Sequence, residues 1–171
     1  PKVIDFGIAK ATSQSLTEKT LYTQQGQLIG TPEYMSPEQA EMSAVNVDTR
    51  SDVYSLGVIL YELLSGKLPF DPESLREAGY AEIQRIIRED DPPKPSTKLT
   101  TVQGEEARRI ADARKTKLAE LQSTLRRELE WIPLKALRKE RTERYSSAED
   151  LADDVRRYLK GEPLEAGPES T

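Results

Sequence analysis

The stretch SDVYSLGVILYELLSGKLPF, residues 51–70, constrains the fold more than any other part of the chain. Val53, Leu56, Gly57, Leu60, Leu63 and Leu64 recur at helical spacing and Ile59 widens the stripe, which predicts a helix over 50–66 buried nearly all round. Ser51 suits the N-cap, Asp52 places an acid in the first turn where the helix dipole favours it, and Gly66 followed by Pro69 stops the helix. Each large aliphatic side chain buried there contributes roughly 1.5–3 kcal/mol as an upper bound, so this helix is the expected centre of the core. The run VYSLGVILYELL is too short for a bilayer and carries Ser55 and Glu62, so it reads as a core helix and not as a membrane span.

With 171 residues the chain has the length of one domain with a sizeable core. A net charge of −5 makes nucleic acid a poor partner, and 32% charged residues describe a polar surface. Cysteine and histidine are both absent, which leaves only oxygen ligands for a metal and hence a hard cation such as Mg²⁺. The chain starts at Pro1 with neither Met nor a charged-then-apolar leader, so it reads as a piece of a longer protein without an export signal of its own.

Elsewhere the pattern is mostly helical. A strand-like run, Lys2 to Ile4, leads into Asp5-Phe6-Gly7, and the stretch from Ala11 to Leu28, dense in Ser, Thr and Gln, reads as a mobile loop. In GTPEYMSPEQA, Gly30 to Ala40, a glycine and two prolines break regular structure and Glu38 opens toward a helix. A helix is expected around Tyr80 to Arg88, then a proline-rich extended connector, DDPPKPSTKLT. One charged helix should follow from Glu105, its narrow stripe made by Ile110, Ala111, Leu118, Leu121 and Leu125, with Arg114 interrupting any heptad. Pro133 is tolerated if a helix starts near Trp131. A last helix has Ser146 and Glu149 as a capping box, a buried stripe of Ala148, Leu151, Val155, Tyr158 and Leu159, and a stop at Gly161 and Pro163.

Asp5-Phe6-Gly7, GTPEYMSPE at Gly30 to Glu38, Asp52 in SDVYSLG, and Arg144 in ERTERYSSAEDL occur in the order that resembles eukaryotic-like bacterial Ser/Thr protein kinases. The resemblance begins mid-domain and implies a mainly α fold: a partial protein-kinase-like large lobe with the N-terminal lobe absent. On that reading residues 1–160 are the partial kinase domain. Within it 1–40 form the metal motif and activation segment, 50–66 the central helix, 71–128 an extended insert and candidate docking surface, and 129–160 the C-terminal helices; 161–171 form a linker-like tail.

The resemblance implies ATP-dependent transfer of a phosphoryl group to Ser or Thr hydroxyls of protein substrates, with ATP and Mg²⁺ as cofactors. Such transfer asks for a metal fixed on the phosphates more than for covalent chemistry by the protein. Asp5 resembles the metal ligand, with Phe6 packed beneath it and Gly7 permitting the turn. Gly30, Thr31, Pro32 and Tyr34 resemble the substrate loop, Thr31 matching Ser/Thr specificity. Thr20 and Thr23 are candidate phosphosites whose modification would order the segment. Glu38 and Arg144 resemble a structural ion pair, and Asp52 the acid that anchors the catalytic loop. The glycine-rich loop, the nucleotide lysine and the catalytic-loop Asp and Asn do not occur in these 171 residues. The isolated chain is therefore expected to be inactive and to expose apolar surface. The kinase portion is expected to be cytoplasmic, any membrane anchor lying outside this chain. A pseudokinase or scaffold module is the alternative.

Overall fold

A computed structural model of the chain describes residues 31–41 and 48–167. Among the described residues there is no strand, in keeping with a mainly α fold. The helices are α1 (Pro37–Ala40), α2 (Thr49–Ser65), α3 (Pro72–Glu77), α4 (Tyr80–Glu89), α5 (Pro95–Lys98), α6 (Gly104–Ala113), α7 (Leu118–Thr124), α8 (Trp131–Ala136) and α9 (Ala148–Lys160). No helix among the described residues is long and apolar enough to cross a membrane.

The expected central helix is α2, and α8 and α9 both pack on it. A Cβ at Gly57 would lie 2.7 Å from the Ala136 Cβ, so the missing side chain is what lets α8 approach α2 this closely. Val53 from α2 joins Ile132, Ala136, Tyr145 and Leu151 in one buried cluster, while Tyr54, Val58, Tyr61 and Leu137 form a second. Two details of α2 differ from the sequence reading. Its N-cap is Asp48, whose carboxylate accepts the Arg50 N–H at 2.8 Å, and not Ser51, which sits buried in the first turn. The helix is not buried all round either: Leu56, Ile59 and Leu63 are 38%, 43% and 67% exposed and lie with exposed Asp52 along one face. Gly66 ends the helix as anticipated, taking the left-handed conformation at φ 75° and donating its N–H to the Glu62 carbonyl.

Residues 71–128 fold as α3 to α7. The charged segment beginning at Glu105 is two helices and not one: α6 stops at Ala113, Lys115 adopts φ 52°, and α7 passes into a single π turn over Leu125–Leu129. The end of α6 at Ala113 leaves Arg114 to cap α2, its Nε and Nη2 donating to the carbonyls of Glu62, Leu63 and Leu64 at 2.7–3.1 Å. The last carbonyls of a helix lack intrahelical partners, and a guanidinium at that end also opposes the dipole. The residue expected only to interrupt a heptad thus fastens α6 to the central helix. Of the expected apolar stripe, Ile110, Leu121 and Leu125 are buried with Leu99 and Val102, and Leu118 packs against them.

Pro133 is the third residue of α8, where its missing N–H costs nothing. The cap of α9 shifts by one position, and its stripe keeps Leu151, Val155 and Tyr158 but not Ala148 or Leu159, which are exposed. Ser147 is the N-cap, accepting the Asp150 N–H at 3.1 Å; Leu159 is 77% exposed, and Asp154 takes a buried place beside Leu151. The residues after α9, read from composition as linker-like, fold back so that Leu164 and Ala166 join the cluster around Val53.

Candidate functional site

The site is organised around a buried guanidinium. Arg144 lies at the end of the short turn Arg141–Glu143 that connects α8 to α9, and its side chain is wholly buried. It donates to both Glu38 carboxylate oxygens at 2.8 Å, through Nη1 and Nη2, across 106 residues of sequence. Its other donors reach backbone carbonyls: Nη1 to Arg50 at 3.1 Å, Nη2 to Lys139 at 2.9 Å, and Nε to Arg138 at 2.7 Å. All five N–H groups of the guanidinium are used. The group also stands 5.1 Å from the centre of the Tyr54 ring.

Glu38 opens α1, where its carboxylate faces a helix N-terminus, and accepts a third hydrogen bond from the Ser51 hydroxyl at 2.6 Å. Burial pushes its acidity toward the neutral form, but hydrogen bonds from Arg144 and Ser51 prevail and bring its pKa down to about 2. Burial dominates at Tyr54 and raises its phenol well above the ordinary value. The sequence-predicted pair of Glu38 and Arg144 is therefore brought together, and it joins α1, the start of α2 and the α8–α9 connection at one point.

The loop ahead of α1 is held against α2 by polar contacts that the sequence reading did not identify. Pro32–Tyr34 form a short helical turn, and the Tyr34 hydroxyl donates to Glu62 at 2.9 Å. Partial burial and then this carboxylate raise the Tyr34 phenol. The Ser55 hydroxyl donates to the Tyr34 carbonyl at 2.9 Å. Gln39 Oε1 accepts from both the backbone N–H and the hydroxyl of Ser36, closing the first turn of α1. Thr31, at the head of this fixed loop, is exposed. Glu33 is buried with Oε1 3.6 Å from Arg76, while its Oε2 has no hydrogen-bond partner. Ser55 and Glu62 were visible as polar residues inside an apolar helix, and that was the available signal for both.

Asp52 is exposed in the first turn of α2. Asp5, Phe6, Gly7, Thr20, Thr23 and Gly30 lie outside the described residues. No group of three or more His, Cys, Asp or Glu side chains able to hold a metal occurs among the described residues.

A family model described as protein kinase domain matches residues 1–155. Over 165 residues the chain is 36% identical to serine/threonine-protein kinase PknB of Mycobacterium tuberculosis, covering 96% of this chain and 21% of that protein. It is 49% identical over 92 residues to serine/threonine-protein kinase pkn3 of Myxococcus xanthus, covering 54% of this chain and 16% of that protein. To a probable serine/threonine-protein kinase PknB of Corynebacterium glutamicum it is 34% identical over 159 residues, 93% of this chain and 20% of that protein. The chain thus spans about a fifth of the length of these curated relatives.

Proposed function

Because the chain belongs to the protein kinase domain family, we propose that it forms the large-lobe half of a serine/threonine kinase that moves the γ-phosphoryl group of ATP to Ser or Thr hydroxyls of proteins. The observation that carries this reading is the Arg144 and Glu38 clasp, which ties α1 to the start of α2 directly behind a Thr31–Ser36 loop that Tyr34 and Ser55 hold against α2, with Thr31 exposed at its head. A loop that receives a peptide substrate must be rigid before the peptide arrives, since orientation of the reacting groups supplies much of the rate. The five donors on one guanidinium and three acceptor contacts on one carboxylate fix α1 behind the loop, and the Tyr34 and Ser55 hydrogen bonds fix the loop itself.

In this reading Thr31 orients the acceptor hydroxyl, Tyr34 holds the loop to α2 through Glu62, and Asp52 anchors a catalytic loop supplied by sequence other than these 171 residues. Asp5 is the carboxylate that would contribute to a Mg²⁺ site on the nucleotide phosphates, where the cation neutralises developing charge. One carboxylate is too few for tight binding of this cation, which usually keeps several waters and leans on the phosphates. The chain alone therefore transfers no phosphate. The test is transfer of label from γ-labelled ATP to a general protein substrate, with the chain alone and with the chain fused to its encoded upstream sequence. Activity in the fusion that is lost on Asp5→Asn and Thr31→Ala supports the reading, and a fusion indifferent to both substitutions removes it.

A further inference from the structure

Among the described residues the most completely buried acid is Asp154, 1% exposed on the core-facing side of α9. An acid in an apolar stripe is costly unless every lone pair has a donor. Here the donors come from two places. The Tyr145 hydroxyl donates to Oδ2 at 2.7 Å, and the backbone N–H groups of Glu165 and Ala166 donate to Oδ1 and Oδ2 at 2.7 and 2.8 Å. Leu164 and Ala166 enter the apolar cluster on either side of this contact, Ala166 being 1% exposed. At the rim, Lys135 Nζ meets Glu165 at 2.6 Å while standing 4.6 Å from the centre of the Tyr145 ring.

We propose that Asp154, Tyr145 and Lys135 form a recognition socket for an extended peptide of the pattern aliphatic, acidic, small, and that the chain's own Leu164-Glu165-Ala166 occupies it as a latch. The two backbone amides are read by one carboxylate whatever the side chains are. The pattern comes from the apolar seats of residues 164 and 166 and from the rim lysine between them. Two adjacent N–H groups converging on a single buried carboxylate resemble peptide-terminus capture with the roles exchanged, since here the socket is the anion and the peptide backbone supplies the donors. Burial and the Asp154 hydrogen bond both raise the Tyr145 phenol, so it stays a donor across the physiological range. Tyr145 follows Arg144 directly, so the latch closes next to the guanidinium of the clasp.

Amide hydrogen exchange on the whole 171-residue chain tests this without any enzymatic readout. The Glu165 and Ala166 amides should exchange slowly in the natural chain, and Asp154→Asn, which offers one acceptor oxygen in place of two, should speed both by roughly tenfold or more while α8 stays protected. Exchange at free-peptide rates in the natural chain, or no change on Asp154→Asn, overturns the proposal. Recognition as distinct from packing is read with Ala166→Asp, which evicts the latch from its apolar seat. A labelled peptide of residues 162–167 should then bind this variant saturably and fail to bind the Ala166→Asp, Asp154→Asn double variant. Equal binding to both, or no binding to the single variant at millimolar peptide, shows that the socket recognises nothing.

Discussion

Replacing Arg144 by Ala removes five hydrogen bonds at once and leaves Glu38 buried against α2 with only the Ser51 hydroxyl among its side-chain donors. Breaking a buried pair from one side typically costs about 3–5 kcal/mol, because the remaining charge is stranded. The acid side of the pair points the same way. A Glu38 pKa held at about 2 against an ordinary value of 4.5 corresponds to about 3 kcal/mol of stability at neutral pH, since one pKa unit is ~1.4 kcal/mol. For a chain of this length a loss of that size lowers the melting temperature by roughly 6–20 °C. The sign of the pH dependence follows from the depressed pKa: the contribution is complete above about pH 5 and disappears as pH falls from there toward 2. Urea melts of the chain and of Arg144→Ala at pH 7 and pH 3.5 measure both effects. The variant should be destabilised at pH 7 and the gap should narrow at pH 3.5. Arg144→Lys should recover only part of the loss, since an ammonium offers three donors in place of five and cannot grip both carboxylate oxygens in parallel. A change below about 1 kcal/mol on Arg144→Ala, the size of a surface pair, would refute the assignment of the clasp as the structural centre of the site.

Gly57→Ala places a methyl 2.7 Å from the Ala136 Cβ, so the contact between α2 and α8 must open; calorimetry should register a loss of about 1–3 kcal/mol. Burial lowers the Lys139 amine to about 8, although its Nζ donates to the Ile87 carbonyl at 2.6 Å. A lysine depressed on folding costs stability below its folded pKa and returns it as pH rises from about 8 toward 10.5; chemical melts at pH 7.5 and 9 should show a rise in the natural chain that Lys139→Arg lacks. Charging the exposed apolar face of α2 with Leu56→Lys and Leu63→Glu should leave the melting temperature of the isolated chain within a few degrees and suppress any self-association in light scattering, because Leu63 is mostly and Leu56 partly in solvent. In a catalytically complete kinase carrying this chain, Thr31→Ala should lower kcat by about a hundredfold with little change in the melt, as expected of a residue that orients a substrate hydroxyl.

How much of this was legible in the sequence depended on the range of the interaction. Local signals were read well: the stop of α2 at Gly66, the bounds of α4 and the tolerance of Pro133 follow from chain geometry within a few residues. Caps were read less well, because several polar residues compete at each helix start and tertiary contacts choose among them. Ser51 yields the N-cap of α2 to Asp48 because its hydroxyl is drawn to Glu38. The pairing of Glu38 with Arg144 could not come from periodicity across 106 residues and rested on resemblance to kinases. Arg114 was read as a flaw in a heptad and is a helix cap, since nothing local announces that the end of α2 lies opposite it. Asp154 did carry a signal, an acid set between Leu151 and Val155 in an otherwise apolar stripe. The exposed face of α2 could not be foreseen from composition, because hydrophobic spacing alone does not say which neighbours cover a helix.

The most direct test of the central claim is phosphoryl transfer from γ-labelled ATP by the chain alone and by the chain joined to its encoded upstream sequence, each with Asp5 intact or changed to Asn. The account predicts no transfer by the chain alone, transfer by the joined protein onto Ser or Thr, and loss of that transfer on Asp5→Asn. Transfer by the 171 residues alone, or transfer by the joined protein that survives Asp5→Asn, would contradict it.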